Sequence, residues 1–430
     1  MYDSLTTNLP HPAMAYTSFP FPPSTPLFPP ASTVQTYLES YAAHFQLTPL
    51  VRLNTAVERI QWRPGSKIWE VQLSCGDLLD FDFIIVANGH YRVPRYPSIP
   101  GLSKWIAAGK ASHSAWYRYP HNFGEVVLVV GGGPSGHDIS AEMGTFAQTV
   151  IHSTSDGVSE EVGNLKKRGR AVEFQDGGRV LFEDGTTESE IDYCILATGY
   201  EISTPFLSKD SIRTGFPPSC PPVPRELYNS RYHIFPLAKQ IFPLQSDYPP
   251  STIAFIGLLV RVAPFPLVEV QGRAIMKVFD DPASLDITQE AVDIITRYEK
   301  LGAEFGNNMS AISKNWHKFE ELEQFDYRDE LYEFVEANPE ARVVVADWEK
   351  EMYSKRIILR RGWRELERTG EADEWVKGVG ESGTEEWVDM MRKLVKKVEK
   401  EDRDEQPKSQ KTEREYSATI ENSPATSQVN

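Results

Sequence analysis

Residues 125–144 read EVVLVVGGGPSGHDISAEMG, an apolar run, a glycine-rich turn and the start of a helix. Nothing else in the chain restricts its fold as strongly. Gly131, Gly133 and Gly136 fit the spacing Gly-x-Gly-x-x-Gly, directly after a run (VVLVV) of the length of a buried strand. In that setting the first glycine permits a tight turn and the second lets the backbone approach a pyrophosphate. The third lets helix and strand pack closely. Pro134 and Ser135 complete the turn, and the amides that follow present the positive end of the helix dipole to phosphate oxygens. The competing reading is a tight turn in an ordinary α/β sheet; the strand-turn-helix order favours the nucleotide site.

The type of dinucleotide is decided at the end of the next strand, about 20 residues on. There the sequence is TVIHSTSDG, and the first side chains available are His152, Ser153, Thr154 and Ser155. An NAD site places Asp or Glu at that strand end to hold the ribose hydroxyls. Its replacement by hydroxyls favours NADP(H), with Ser153 and Thr154 donating to a 2′-phosphate. The arginine expected for that phosphate is missing too, which leaves Lys166, Lys167 and Arg168 as substitutes.

A second pattern flanks the turn. DFDFIIVANGHY (residues 80–91) and EIDYCILATGYE (residues 190–201) share an acid, an apolar residue, Asp, an aromatic, an apolar run and then Ala-x-Gly. Ligands of parallel sheets sit beyond the carboxyl ends of strands. Gly89 in the first copy, and Thr198 and Gly199 in the second, are therefore cofactor-binding candidates, and two copies imply two nucleotide-binding domains; Asn88, beside Gly89, reads by default as a strand-end turn residue.

The remainder of the chain narrows the class. A formal charge of -16 over 430 residues argues against nucleic acid or an anionic membrane as the main partner. Cys75, Cys194 and Cys220 are too few and too scattered for a disulfide framework or a zinc site, and Cys194, inside YCILA, reads as a buried structural residue. No run approaches the length of a membrane helix and no secretory signal opens the sequence, so a soluble, cytoplasmic protein is expected. Residues 10–32 are rich in proline, which opposes regular structure. A helix over residues 32–47 is predicted next, capped by Ser32 or Thr33, with Val34, Tyr37, Leu38, Tyr41 and Phe45 as its apolar positions. Strands follow. Residues 251–280 read as a buried strand, a proline-broken loop and an amphipathic helix, and the chain is helical after about residue 285. Residues 401–430 have the composition of a disordered tail.

Three further segments complete a resemblance. GKASHSAWYR is similar to the signature Phe-x-Gly-x-x-x-His-x-x-x-Tyr through Gly109, His113 and Tyr117, with Ala107 where the signature has Phe. LATGY (residues 196–200) is similar to a strand-to-hinge motif, and MYDSLTTNLP to a segment carrying an active-site asparagine, here Asn8. Together with GGGPSG, these identify the chain as resembling the flavin-containing monooxygenase family, of the fungal type, from the first residues to about residue 280. The resemblance implies an α/β, two-dinucleotide-binding-domain (Rossmann-like) flavoprotein fold, with the NADPH domain inserted in an incomplete FAD domain and a helical C-terminal region. The corresponding division is 1–97 and 206–285 for the FAD domain, 98–205 for the NADPH domain, 286–400 for the helical region and 401–430 for the tail.

It also implies FAD and NADP(H) as cofactors and a small-molecule substrate with O2. NADPH reduces the flavin, and a flavin hydroperoxide then oxygenates a soft nucleophile, an amine nitrogen or a sulfide sulfur. The Asn8 amide is the donor that guards it, whereas on residue chemistry alone Asn8 reads as a turn residue. His113 and Tyr117 are implied to be linkers near the nucleotide rather than a catalytic pair, and Asn88, where many relatives carry Thr, lies near flavin. One departure stands out: a second glycine fingerprint, for FAD, is not in the sequence. The chain is therefore expected to be a fragment, since MYDSL looks like an internal methionine of a family member, or a degenerate relative that binds NADP(H) alone. A Baeyer–Villiger or N-hydroxylating monooxygenase is the alternative enzyme class, and a non-catalytic NADP-binding interaction protein the alternative outside it.

Overall fold

The computed structural model describes residues 2–155 and 157–421, with side chains through residue 404. The chain divides into two compact units. The first comprises Met1–Leu5, Leu47–Val262 and Val270–Glu320; the second comprises Thr6–Gln46, Ala263–Glu269 and Glu321–Asn430.

The first unit is organised by a six-stranded sheet in the order Ala111–His113, Tyr193–Leu196, Val126–Val130, Thr149–Ser153, Leu165–Arg168, Glu160–Val162. All neighbours in it are parallel except the edge strand Glu160–Val162. Val126–Val130 is central because it is apolar on both faces. Val127 and Val129 pack with Ile139 and Met143 of the helix Pro134–Met143, and Leu128 and Val130 pack on the opposite side with Ile151, Cys194, Phe174 and Phe182. A strand covered on both faces needs a continuous apolar run, which VVLVV supplies. Each such side chain contributes about 1.5–3 kcal/mol when fully buried.

Two smaller elements of this unit matter for a second nucleotide. Ile84–Val86, from the first sequence copy, pairs in parallel with Ile253–Phe255. An antiparallel meander of Val57–Arg63, Ile68–Leu73 and Leu78–Phe81 buries Trp69 completely. The stretch after each repeated strand then meets the other copy, as Tyr200–Glu201 pairs with Val93–Pro94.

In the second unit the helices Arg356–Thr369 and Thr384–Glu421 pack through Leu359, Trp363, Leu366, Met391 and Leu394, with Leu27 and Phe28 of the proline-rich segment in the same cluster. Gly362 permits the approach: a Cβ there would lie 2.5 Å from Val398 Cγ2. The proline-rich segment holds one short helix, His11–Met14, and stacks Phe21 on Tyr37 with centroids 3.8 Å apart.

Three sequence expectations are corrected here. The helix starts at Ala31 behind Pro30, with no side-chain cap, so neither Ser32 nor Thr33 is its N-cap. Proline at that point already holds a φ of -67°, which leads directly into the first turn. Of the predicted apolar positions only Tyr37 is fully buried. Residues 6–46 belong with the C-terminal helices rather than with a domain 1–97, because their aromatic and apolar side chains are covered there. The last helix runs on through residue 421, across most of the expected disordered tail. Up to Pro407 its Glu-, Lys- and Arg-rich sequence propagates a helix nucleated on the packed turns before it, and the proline removes one intrahelical bond beyond that point. Residues 422–430 of that stretch lie outside the described residues. No helix among the described residues is long and apolar enough to cross a membrane.

Candidate functional site

The glycine turn is built as its spacing implies, and each glycine has a different reason. Gly131 has φ +131°, and a Cβ on it would lie 2.2 Å from the Ala197 carbonyl oxygen. Gly136 opens the helix against the turn; its Cβ would lie 1.9 Å from the Gly131 carbonyl oxygen. Gly133 has ordinary backbone, with φ -82°, and nothing within 4 Å of a Cβ. It is glycine where the open side must stay clear, and Gly132, Gly133 and Pro134 are all exposed. The first amides of the helix Pro134–Met143 have no partner within the helix and face the same opening.

Neighbouring groups hold the turn rigid. The Gly131 amide donates to the Ser153 carbonyl at 2.8 Å, and His152 Nε2 lies 2.8 Å from the Gly131 carbonyl oxygen. A carbonyl only accepts, so Nε2 carries the ring proton. Burial holds this imidazole below its ordinary pKa, which favours the neutral form. Sequence reasoning named His152 only as a strand-end residue; its spacing of 21 from Gly131 gave no sign of this contact.

The strand end itself differs from expectation. Ser153 is 1% exposed; its hydroxyl donates to the Gly169 carbonyl at 2.8 Å and accepts from the Ala171 amide at 3.1 Å. Both bonds tie the strand end to the segment Gly169–Ala171. Thr154 is half-buried beside it, with its amide bonded to the Arg168 carbonyl. The three substitute cations are engaged by carboxylates. Lys166 pairs with Glu188 at 3.0 Å, Lys167 with Glu160 at 2.7 Å, and buried Arg168 with Glu188 at 2.9 Å and with Glu161 at 2.5 Å.

The second Ala-x-Gly end is clamped. Gly199 has φ +80°. His113 is fully buried, accepts the Ala115 amide at Nδ1 (3.1 Å), and so donates from Nε2 to the Gly199 carbonyl at 2.9 Å. Arg95 donates to the Thr198 carbonyl through Nε at 3.0 Å, and the Thr198 hydroxyl returns a bond to the Arg95 carbonyl at 2.6 Å. Tyr117 is buried and donates to Glu142 at 2.7 Å. His113 and Tyr117 thus act as linkers, His113 at a strand end and Tyr117 beyond a 3-10 turn, with no shared helical face. Arg95 was not singled out from the sequence, since its partner lies 103 residues away.

The first Ala-x-Gly end follows the parallel strand Ile84–Val86. Gly89 (φ +71°) and Gly257 (φ +72°) turn beyond adjacent parallel strands, and a Cβ on Gly89 would meet nothing within 4 Å. Asn88 donates its side-chain amide to the Ser203 carbonyl at 2.9 Å, so its described role is to tie this turn down. Asn8 belongs to the second unit, is exposed, and lines a cleft of about 1040 Å³ with residues of Arg356–Thr369 and Thr384–Glu421.

The residues around Gly131–Gly136 therefore fit a dinucleotide: an open cradle at Gly133, free helix-start amides and a turn braced from behind. At Gly89 and Gly257 the strand ends fit a second nucleotide, while the described residues contain no second glycine cradle for its pyrophosphate.

The flavin-binding monooxygenase-like family matches residues 1–160 and 159–350. The chain belongs to this family. It is a family of flavin-dependent oxidoreductases whose cofactors are FAD and NADP(H). Among relatives, the monooxygenase is 29% identical over 401 residues to the flavin-containing monooxygenase FMO GS-OX-like 4 of Arabidopsis thaliana, covering 87% of this chain and 80% of that one. It is 32% identical over 289 residues to the thiol-specific monooxygenase of Saccharomyces cerevisiae, covering 65% of each. Among solved structures, the S-allyl-L-cysteine S-oxygenase of Allium sativum superposes with a TM-score of 0.71 at 26% identity, covering 92% of this chain and 84% of that one. The two-dinucleotide flavoprotein fold expected from the sequence is thereby borne out, as are the family and its oxidoreductase class.

Proposed function

We propose that this chain is an NADPH- and FAD-dependent monooxygenase that transfers one oxygen atom of O2 to a soft nucleophile, with sulfur favoured over amine nitrogen. The observation that carries the reading is the cradle at Gly131–Gly136, open at Gly133 and flanked by two strands that end in the same Ala-x-Gly turn. Sulfur is favoured because relatives in both comparisons are named for thiol or S-oxygenation. When bound, the two cofactors supply the hydride and the oxygen-activating ring.

The chain's own residues bind, orient and exclude water. Amides at the start of Pro134–Met143 would hold the pyrophosphate of NADP(H), with the Gly131 carbonyl fixed behind them by His152, and Thr154 would be the residue to meet the ribose. His113 and Arg95 set the Thr198–Gly199 turn, and Asn88 sets the Gly89 turn. The family resemblance assigns Asn8, in the second unit, the role of amide donor in the reaction. The purified chain, supplied with FAD, is expected to take up flavin absorbance and to couple NADPH oxidation to sulfoxide formation from a thioether. Absence of flavin uptake at saturating FAD would sink flavin dependence for this chain.

A further inference from the structure

A 2′-phosphate needs donors, and the three cations of the strand Leu165–Arg168 are paired with carboxylates. One further basic side chain stands between that region and the glycine turn. His137 is the fourth residue of the helix Pro134–Met143 and is exposed. Its Nδ1 lies 3.1 Å from the Gly133 carbonyl oxygen, and its ring meets that of His152 edge-on, with centroids 5.1 Å apart. It therefore touches both halves of the cradle, the N-cap of the helix and the strand Thr149–Ser153.

The bond to Gly133 fixes what the rest of the ring can do. A carbonyl only accepts, so Nδ1 carries a proton. Nε2 makes no hydrogen bond among the described residues. In the neutral ring it is an acceptor, and it becomes a donor only when the imidazole is protonated. The two nicotinamide nucleotides ask for opposite forms. The 2′-hydroxyl of NADH can donate to the neutral ring, whereas the 2′-phosphate of NADPH, a dianion that only accepts, needs the protonated one.

The surrounding groups leave that choice to the ligand. His152 is held neutral by burial, with its Nε2 proton on the Gly131 carbonyl. Lys167, opposite His152 in the sheet, pairs with Glu160. On the helix itself Asp138 accepts from Tyr2 at 2.9 Å and Glu142 from Tyr117 at 2.7 Å. No described carboxylate bonds to His137, so the anion that favours its charged form is the one the nucleotide brings.

We propose that His137 distinguishes NADPH from NADH: the 2′-phosphate draws a proton from the buffer onto Nε2, and the imidazolium donates it to a phosphate oxygen as a hydrogen bond. The proposal rests on the reading of Gly131–Gly136 as the NADP(H) site. It goes beyond that reading in naming the discriminating side chain and in making the discrimination proton-linked.

Calorimetric titration of the full chain with NADPH and with NADH, each in HEPES and in Tris, counts the protons exchanged on binding. At about pH 7.5 a phosphate monoester, whose second ionisation lies near 6, is already dianionic, so a proton taken up goes to the protein. Uptake of roughly half a proton per NADPH is expected, and close to none per NADH. His137→Gln should abolish the uptake and cut the margin of NADPH over NADH by roughly five-fold. His137→Arg should restore the margin with no proton taken up, because a guanidinium is already charged. Circular dichroism confirms that both variants fold. Uptake that persists in His137→Gln, an unchanged margin in that variant, or equal uptake with NADH would overturn the proposal. So would a His137→Arg chain that binds NADPH no better than the glutamine variant. If neither nucleotide binds, the turn is not a nucleotide site and both readings fall; if both bind with the same proton count, only the role of His137 falls.

Discussion

The glycine turn makes a prediction that separates binding from stability at neighbouring positions. Gly133 has φ -82° and ψ 177°, backbone that any residue adopts, and open space where a Cβ would go. It is also the N-cap of Pro134–Met143, a position where Asp is preferred at least as well as Gly. Gly133→Asp should therefore leave the melting temperature unchanged or slightly higher. The new carboxylate faces the pyrophosphate, however, and two like charges about 4 Å apart repel by about 1 kcal/mol in water and about 4 kcal/mol in a partly shielded site. NADPH affinity should fall by roughly five-fold to several-hundred-fold. Gly136→Ala should behave in the opposite way. Its Cβ would lie 1.9 Å from a backbone oxygen that cannot swing aside, an overpacking that costs about 1–3 kcal/mol or more. Tm should drop by roughly 2–10 °C. Fluorescence titration with NADPH and thermal melts of both variants supply the comparison. An unchanged dissociation constant for Gly133→Asp, with the fold intact, would refute the cradle as the nucleotide site.

Two further outcomes follow from His11 and Arg95. His11 packs between Phe21 and Trp387, and burial lowers its pKa from an ordinary 6.5 to about 3. The folded state keeps it neutral while the unfolded state takes up a proton below pH 6.5. Its contribution is complete above that pH and is lost as pH falls toward 3, at about 1.4 kcal/mol per pH unit. His11→Phe should flatten the decline of the urea midpoint between pH 6.5 and 4; an unaltered slope would reject the assignment. Arg95→Ala should remove the clamp on the Thr198 carbonyl, with a loss of about 1–3 kcal/mol in stability and a several-fold rise in the NADPH dissociation constant. A variant with wild-type affinity would show that the turn is held without it.

What the sequence disclosed and what it withheld divide along the range of the interactions. The strand-turn-helix at residues 125–144 was readable because each requirement is local: an apolar run, a turn glycine, a helix start. The repeated Ala-x-Gly ends were readable for the same reason. The strand-end chemistry was not. Ser153 has the hydroxyl a 2′-phosphate calls for, but its bonds to Gly169 and Ala171 are made by a neighbouring loop. Lys166, Lys167 and Arg168 look like a basic cluster in one dimension, yet Glu160, Glu161 and Glu188 neutralise them in three. Glu188 is 20 residues from Arg168, a separation at which spacing carries no signal. The grouping of residues 6–46 with the C-terminal helices was hidden likewise, since stacks such as Phe21 on Tyr37 show only when the chain has folded back. The consequence bears on the cofactor. With those three cations paired to carboxylates, the proposed selection of NADP(H) over NAD(H) rests less on them. The proposed preference would then fall to the strand end itself, where residue 154 is a threonine and not a carboxylate that would repel a 2′-phosphate.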